Sequence, residues 1–232
     1  MQEEIMIAII SAMQVENDAI LALCNDIKEK TISHKKYYEA TLGNEKVVCC
    51  LSGVGKVNAA ISTTLLLEHF PIDAILNIGT AGGLKQEEKV LDCVISTQVV
   101  EHDFDTSPID HEEGKGMFFE ADPLLVNVTK TVAQEMEIPH HIGLIASGDQ
   151  FITSDSCDKI LQDFPESMCS EMEAGGIAQV ASHYGVPFVI IRSLSDIAHS
   201  KGNGMVFSEY VEKASKRSAL FCEKCVAKLS KR

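Results

Sequence analysis

The chain has 232 residues, 45% of them hydrophobic and 23% charged, with a formal net charge of −14. A chain of this length buries a continuous core without disulfide or metal staples, and the composition is globular rather than disordered. The acidity excludes a nucleic-acid or anionic-membrane surface unless a basic patch overrides it; the densest basic stretch (Lys213, Lys216, Arg217, Lys224, Lys228) is interleaved with acids, as on a solvated helix face.

Met1-Gln2-Glu3-Glu4 precedes a short apolar run without the basic leader of a signal peptide. No run reaches the ~18–20 apolar residues of a membrane span. The expectation is a cytoplasmic protein whose eight scattered cysteines are reduced thiols.

In chain order, the apolar and amphipathic patterns predict a strand over Ile5–Ser11 and a helix over Val15–Leu23. Strands over Lys36–Leu42 and Lys46–Ser52 follow, turning at Gly43-Asn44-Glu45 as a hairpin. Next come a helix over Val57–His69, strands over Ala74–Gly79 and Asp92–Thr97, and a helix over Pro123–Glu137. The remainder reads as a strand over Ile142–Ser147, helices over Cys157–Asp163 and Glu171–Tyr184, a strand over Phe188–Ser193 and a long helix over Phe207–Leu229. Interleaved strands and helices predict an α/β fold with a mixed sheet covered on both faces. Asp105–Glu120, rich in Asp, Glu, His and Gly, reads as one mobile surface loop. No repeat or linker divides residues 1–232, which read as a single domain.

Several predicted strand ends carry small residues: Ser11-Ala12-Met13, Ser52-Gly53-Val54-Gly55, Gly79-Thr80-Ala81-Gly82-Gly83, Ser147-Gly148-Asp149 and Ser193-Leu194-Ser195-Asp196. In α/β sheets the ligand crevice forms where such ends converge, and glycine lets backbone approach a ligand. Acids stand there too: Glu16 after the first strand, Glu171 and Glu173 at a helix start, and Asp196 after a strand. Taken singly, each reads equally as a solvated acid or a helix cap. Gly53-Val54-Gly55-Lys56 lacks the spacing and the Ser/Thr of a phosphate loop, and Gly79–Gly83 fails the dinucleotide pattern. Both suit a small neutral or sugar-like ligand. His102-Asp103-Phe104-Asp105 with Asp110-His111 meets no zinc or calcium spacing and reads as a polar loop. Cys222 and Cys225 read as incidental helix residues.

One ordered set of motifs spans nearly the whole chain: Ala12-Met13-Gln14-Val15-Glu16, Ser52–Val57, Asn77–Gly83, Ser147–Ile152, Glu171-Met172-Glu173-Ala174 and Arg192–Asp196. It resembles the bacterial 5'-methylthioadenosine/S-adenosylhomocysteine nucleosidases of the purine nucleoside phosphorylase superfamily. The resemblance implies a three-layer α/β/α sandwich with a central mixed, partly barrel-like sheet, a homodimer, and no metal or organic cofactor. It implies that Asp196 is the general acid to purine N7, that Glu16 activates water, and that Glu173 holds the ribose hydroxyls over Met172 with Glu171 nearby. Phe151 would stack on the purine and the Ile152 backbone would read its edge; Thr80, Ala81 and Gly82 would also bind the substrate, and Ser195 would hold Asp196. Met13, Val54 and Phe207 would line the 5' pocket. The chemistry is coherent. A glycosidic bond breaks through an oxocarbenium-like state, adenine leaves readily only when protonated, and carboxylates stabilise the developing cation.

Phosphorylases of the superfamily need cationic donors around their phosphate, and Glu16 would repel that anion. The arginines are Arg192, Arg217 and Arg232, of which only Arg192 stands near a motif. The expectation is hydrolysis of the N-glycosidic bond, ahead of a phosphate-dependent phosphorylase, a non-catalytic adenosine-binding protein or a metal-dependent hydrolase. Methylthioadenosine, S-adenosylhomocysteine, 5'-deoxyadenosine and 6-amino-6-deoxyfutalosine share the adenine and ribose contacts, so the motifs admit all four. The departure from the family is Thr106–Gly116, shorter and more polar than the apolar segment that covers a partner's 5' pocket; Thr106 and Ile109 remain candidate walls.

Overall fold

Uninterrupted runs of Ile, Val, Leu and Ala make strands that bury both faces, as a sheet sandwiched between helices requires. The computed structural model describes residues 5–198 and 203–230, excepting the side chains of 112, 113, 154, 155 and 203–209. β1 (Ile7–Ser11) and β10 (Phe188–Ile197) are buried along their whole length, and β5 (Ala74–Gly83) nearly so. β1 lies between β4 (Glu45–Leu51) and β5, parallel to both, and β5 is also parallel to β10.

The strands form one ten-stranded sheet. β10, β6 (Cys93–Asp105), β8 (His140–Ser147), β9 (Ser167–Glu171) and β5 pair in succession, and β5 pairs back onto β10, closing a ring. From β5 the sheet continues through β1 and β4 to β3 (Lys35–Leu42) and β2 (Cys24–Ile32), while β7 (Lys115–Glu120) pairs with β6. This is the expected mixed, partly barrel-like sheet. The β3–β4 hairpin turns at Gly43-Asn44 with Leu42 opposite Glu45 and Gly43 at φ +63°.

Alternate residues of each central strand feed opposite cores. On one face, α2 (Lys56–His69) and α6 (Ala174–Tyr184) contribute Ala59, Leu66, Ile177 and Ala181, packed with Ala8, Ile10, Ile75 and Ile190. On the other, α1 (Gln14–Leu21), α4 (Pro123–Glu135) and α7 (Asn203–Leu229) contribute Ile20, Val128, Val132, Phe221 and Val226 against Ile7, Ile9, Leu76 and Val189. A third cluster seats Ile160 of α5 (Ser154–Asp163) and Phe164, which caps that helix, on Val100, Leu144 and Ala146. Each large side chain so buried contributes about 1.5–3 kcal/mol of transfer free energy. Helices on both faces complete the three layers. Cys222 and Cys225 are both buried in α7, and among the described residues no helix is long and apolar enough to cross a membrane.

Asp105–Glu120 is not one surface loop. It folds as the end of β6, a short α3 (Ser107–Asp110), a 3-10 turn over His111–Gly114 and then β7. Pro108 lies in the first turn of α3, where its missing N–H is not needed. Phe118 and Phe119 then lie opposite Val100 and Val99 of β6. Three residues separate the end of α5 from strand β9, and the chain enters α6 at Ala174 rather than at Glu171. β5, β6 and β10 all run beyond their predicted ends, so Asp196 lies within β10 and not after it.

Candidate active site

The carboxyl ends of β1, β5, β8, β9 and β10 open onto one cavity of about 260 Å3. Its lining includes Met13, Glu16, Val54, Thr80, Ala81, Gly82, Phe151, Ile152, Glu171, Met172, Glu173, Ser195 and Asp196. Motifs up to 180 residues apart thus meet where the sheet's edges gather. A space of this size suits a small molecule rather than a polymer.

Each acid owes its place to local backbone needs. Glu16 sits in the first turn of α1 and turns back, so that Oε2 accepts from the N–H groups of Met13 (2.9 Å) and Ala12 (3.1 Å). Its Oε1 accepts from Thr80 N–H (3.1 Å), which ties α1 to the end of β5. Glu171 ends β9 and accepts from the N–H groups of Glu173 (3.0 Å) and Ala174 (2.9 Å), the orphan donors at the start of α6. Glu173, at the N-cap position of α6, reaches away from its own helix to accept from Gly55 N–H at 3.0 Å. Asp196 Oδ1 accepts from the Ser195 hydroxyl at 2.7 Å. Its Oδ2 faces Gly82 across the floor of the cavity, 3.4 Å from where a Cβ would stand.

One cation balances this group. Arg192 is 1% exposed, and its Nη2 donates to Glu171 (2.5 Å) and to Asn77 Oδ1 (2.6 Å). Its Nη1 lies beneath Gly79, whose missing Cβ leaves room for both the guanidinium and Glu16 Oε1. Burial outweighs Arg192 and the backbone donors at Glu16 and pushes its pKa up. Burial, then the charge of Glu171, lifts Glu173 to about 7. Burial also raises Asp196, opposed only by the Ser195 hydroxyl. Burial thus favours the protonated form of all three acids, around a space suited to a developing positive charge.

Phe151 is 67% exposed at the cavity mouth. The side chain of Phe207 lies outside the described residues. Thr106 and Ile109 do not line this chain's cavity; Thr106 caps α3, and Ile109 is 79% exposed. Ala12, Gly79, Gln150 and Ser170 also line the space and were not among the expected contacts. Ala12 and Gly79 lie inside motifs already singled out, whereas Ser170 belongs to the unforeseen β9. Among the described residues no group of three or more His, Cys, Asp or Glu is placed to hold a metal ion. Asp103 is instead engaged by Lys56 at 2.5 Å.

Comparison with known proteins gives concordant matches. A model of the phosphorylase superfamily matches residues 6–229. The 5'-methylthioadenosine/S-adenosylhomocysteine nucleosidase of Staphylococcus carnosus is 41% identical over 219 residues, covering 92% of this chain and 96% of that protein. The crystal structure of the nucleosidase of that name from Neisseria meningitidis, in complex with methylthio-immucillin-A, superposes with a TM-score of 0.90 at 34% identity, covering 95% of this chain and 98% of that one. The futalosine hydrolase of Helicobacter pylori superposes with a TM-score of 0.89 at 31% identity, covering 97% and 98%.

Proposed function

The chain belongs to the phosphorylase superfamily and, within it, to the 5'-methylthioadenosine/S-adenosylhomocysteine nucleosidases; from that premise we propose that it hydrolyses the N-glycosidic bond of these two nucleosides, releasing adenine and the 5'-substituted ribose. The observation that carries the reading is the convergence of Glu16, Glu173 and Asp196 on one cavity, each with its pKa raised by burial.

In the proposed reaction Asp196 gives its proton to N7, so the base leaves as neutral adenine and not as an anion. The Ser195 hydroxyl fixes one carboxyl oxygen and leaves the other toward the cavity. A water attacks C1' and passes its proton to Glu16, whose carboxylate three backbone N–H groups hold in place. Glu173 accepts from the ribose 2'- and 3'-hydroxyls, and the charge of the carboxylates stabilises the oxocarbenium-like state. Glu171 orients Glu173, and Met172 packs under the sugar. Phe151 stacks on the purine, Ile152 reads its edge over Thr80, Ala81 and Gly82, and Met13 and Val54 receive the 5' group. We further propose that residues 1–232 work as one domain in a cytoplasmic homodimer, with Thr106 and Ile109 serving the partner's pocket.

Water rather than phosphate is favoured as nucleophile because Arg192 is committed to Glu171 and Asn77. A phosphate dianion entering the site would meet buried carboxylates and, among the described residues, no available guanidinium. The test is incubation with methylthioadenosine, S-adenosylhomocysteine, 5'-deoxyadenosine and 6-amino-6-deoxyfutalosine, with and without phosphate. Free adenine should appear at the same rate in both. Asp196→Asn, which keeps the shape and removes the proton, should lower turnover on the order of 10²–10⁴-fold. Near-normal turnover in Asp196→Asn, or a requirement for phosphate, would overturn the reading.

A further inference from the structure

Two motifs have no part in this chemistry: the lysine of Gly53-Val54-Gly55-Lys56, and Asp103 of the His102–Asp105 run. In the folded chain they meet. Lys56 Nζ forms ion pairs with Glu101 (3.0 Å) and Asp103 (2.5 Å), both on β6. Asp103 Oδ2 accepts from Asp149 N–H (2.9 Å), and Asp149 Oδ1 accepts from Lys56 N–H (2.8 Å). Lys56, Asp103 and Asp149 therefore close a ring of contacts joining the start of α2, the end of β6 and the loop after β8.

This ring borders the cavity on two sides. Gly55, one residue before Lys56, donates its N–H to Glu173. Two successive amides at the start of α2 thus hold the proposed sugar-side carboxylate and the purine-side loop at a fixed separation. Gly55 sits at φ +96°, and a Cβ there would come within 3.2 Å of Asp149 Oδ1, so the close approach depends on glycine. Beyond Asp149 the chain runs through Gln150, Phe151 and Ile152, which all line the cavity, to Thr153, whose N–H is held by Ser156 Oγ at 2.9 Å.

We propose that Asp149 is a positioning residue for the adenine nucleoside: braced by Lys56 and Asp103, it holds Gln150–Ile152 where Phe151 and Ile152 meet the purine. The proposal rests on the nucleosidase reading. A loop ordered beforehand need not be ordered by the substrate, so loosening the brace weakens binding of the base while leaving Asp196, Glu16 and Glu173 in place. The Lys56 N–H requires only an acceptor, which an asparagine side chain also supplies.

The experiment is titration calorimetry with adenine, together with steady-state hydrolysis of methylthioadenosine, for the wild type and for Asp149→Ala, Asp149→Asn, Asp103→Ala and the Asp103→Ala/Asp149→Ala double variant. Asp149→Ala should weaken adenine binding and raise KM about tenfold, with kcat within about threefold of the wild type. Asp149→Asn should restore most of the affinity. Asp103→Ala should act in the same direction, and the double variant should be no worse than Asp149→Ala, because both act through one ring of contacts. Unchanged adenine affinity in Asp149→Ala and Asp103→Ala overturns the brace alone, as does a matched loss of kcat and affinity that Asp149→Asn does not restore. A wild-type protein that takes up no adenine overturns the functional reading and the brace with it.

Discussion

Glu173 shows what it means to hold an acid in this cavity. Its ordinary pKa is 4.5; burial and the neighbouring Glu171 charge bring it to about 7. Between those values the folded chain keeps a proton that the unfolded chain has released. Stability contributed at this position therefore falls as pH rises from about 4.5 to about 7, and stays level above that. Glu173→Gln removes the charge and keeps an acceptor for Gly55 N–H. It should raise Tm by roughly 3–6 °C at pH 8 and leave it unchanged near pH 4. The same change should slow adenine release roughly 10²–10³-fold, because a carboxylate that opposes folding is the group proposed to steady the cation. Thermal melts at the two pH values check the first claim, and equal Tm shifts at both would refute it. Asp196 and Glu16 are pushed in the same direction by burial. An acidic site built at the expense of stability is the common thread.

At the scale of elements, the separation of α2 and α6 sets the distance between Gly55 and Glu173. Gly176 of α6 lies against the start of α2, and a Cβ there would stand 2.3 Å from the Lys56 carbonyl oxygen, which is backbone and has no room to yield. Gly176→Ala should destabilise the protein by about 1–3 kcal/mol. It should also cut kcat and weaken adenine binding together, since it displaces the successive amides that hold Glu173 and Asp149. Wild-type stability and activity in that variant would show that the helices part freely. That contact is invisible in sequence, where Gly175 and Gly176 are simply two residues of the helix predicted over Glu171–Tyr184. The central strands were legible because β1, β5 and β10 each open on an apolar run (Ile7–Ile10, Ala74–Leu76 and Phe188–Ile191) and their ends carry the small residues that open the crevice. β2 escaped notice because Cys24–Ile32 is an exposed, charged edge strand without alternation. β9 escaped because Ser167–Glu171 has five residues and a polar face, so Glu171 reads as the head of the following helix. The charge of Asp105–Glu120 conceals the pairing of Phe118 and Phe119 with β6, so the segment reads as a loop in sequence. The acids could be named from their motifs, but the interactions that orient them join segments far apart in sequence.

At the scale of the whole molecule, the proposed dimer has a face to account for it. Val57 is 68% exposed and Ile61 47%, one turn apart on α2, just beyond Val54 at the cavity mouth. Large apolar side chains grouped beside a binding site are what a partner would cover. If two copies meet across a twofold axis, the same patch serves both, and a charge placed in it is buried twice. Val57→Asp should therefore halve the mass seen in sedimentation at micromolar concentration while leaving the fold, as read by circular dichroism, intact. Thr106 and Ile109, which stand clear of this chain's own cavity, would then no longer reach a neighbour's 5' pocket. KM for methylthioadenosine should rise about tenfold on loss of that apolar wall, whereas the affinity for adenine, which has no 5' group, should change far less. The contrast between nucleoside and base separates a lost partner wall from general damage to the site. A Val57→Asp protein that still sediments as a dimer would move the interface elsewhere, and a monomer with unchanged KM would mean that each chain completes its own pocket.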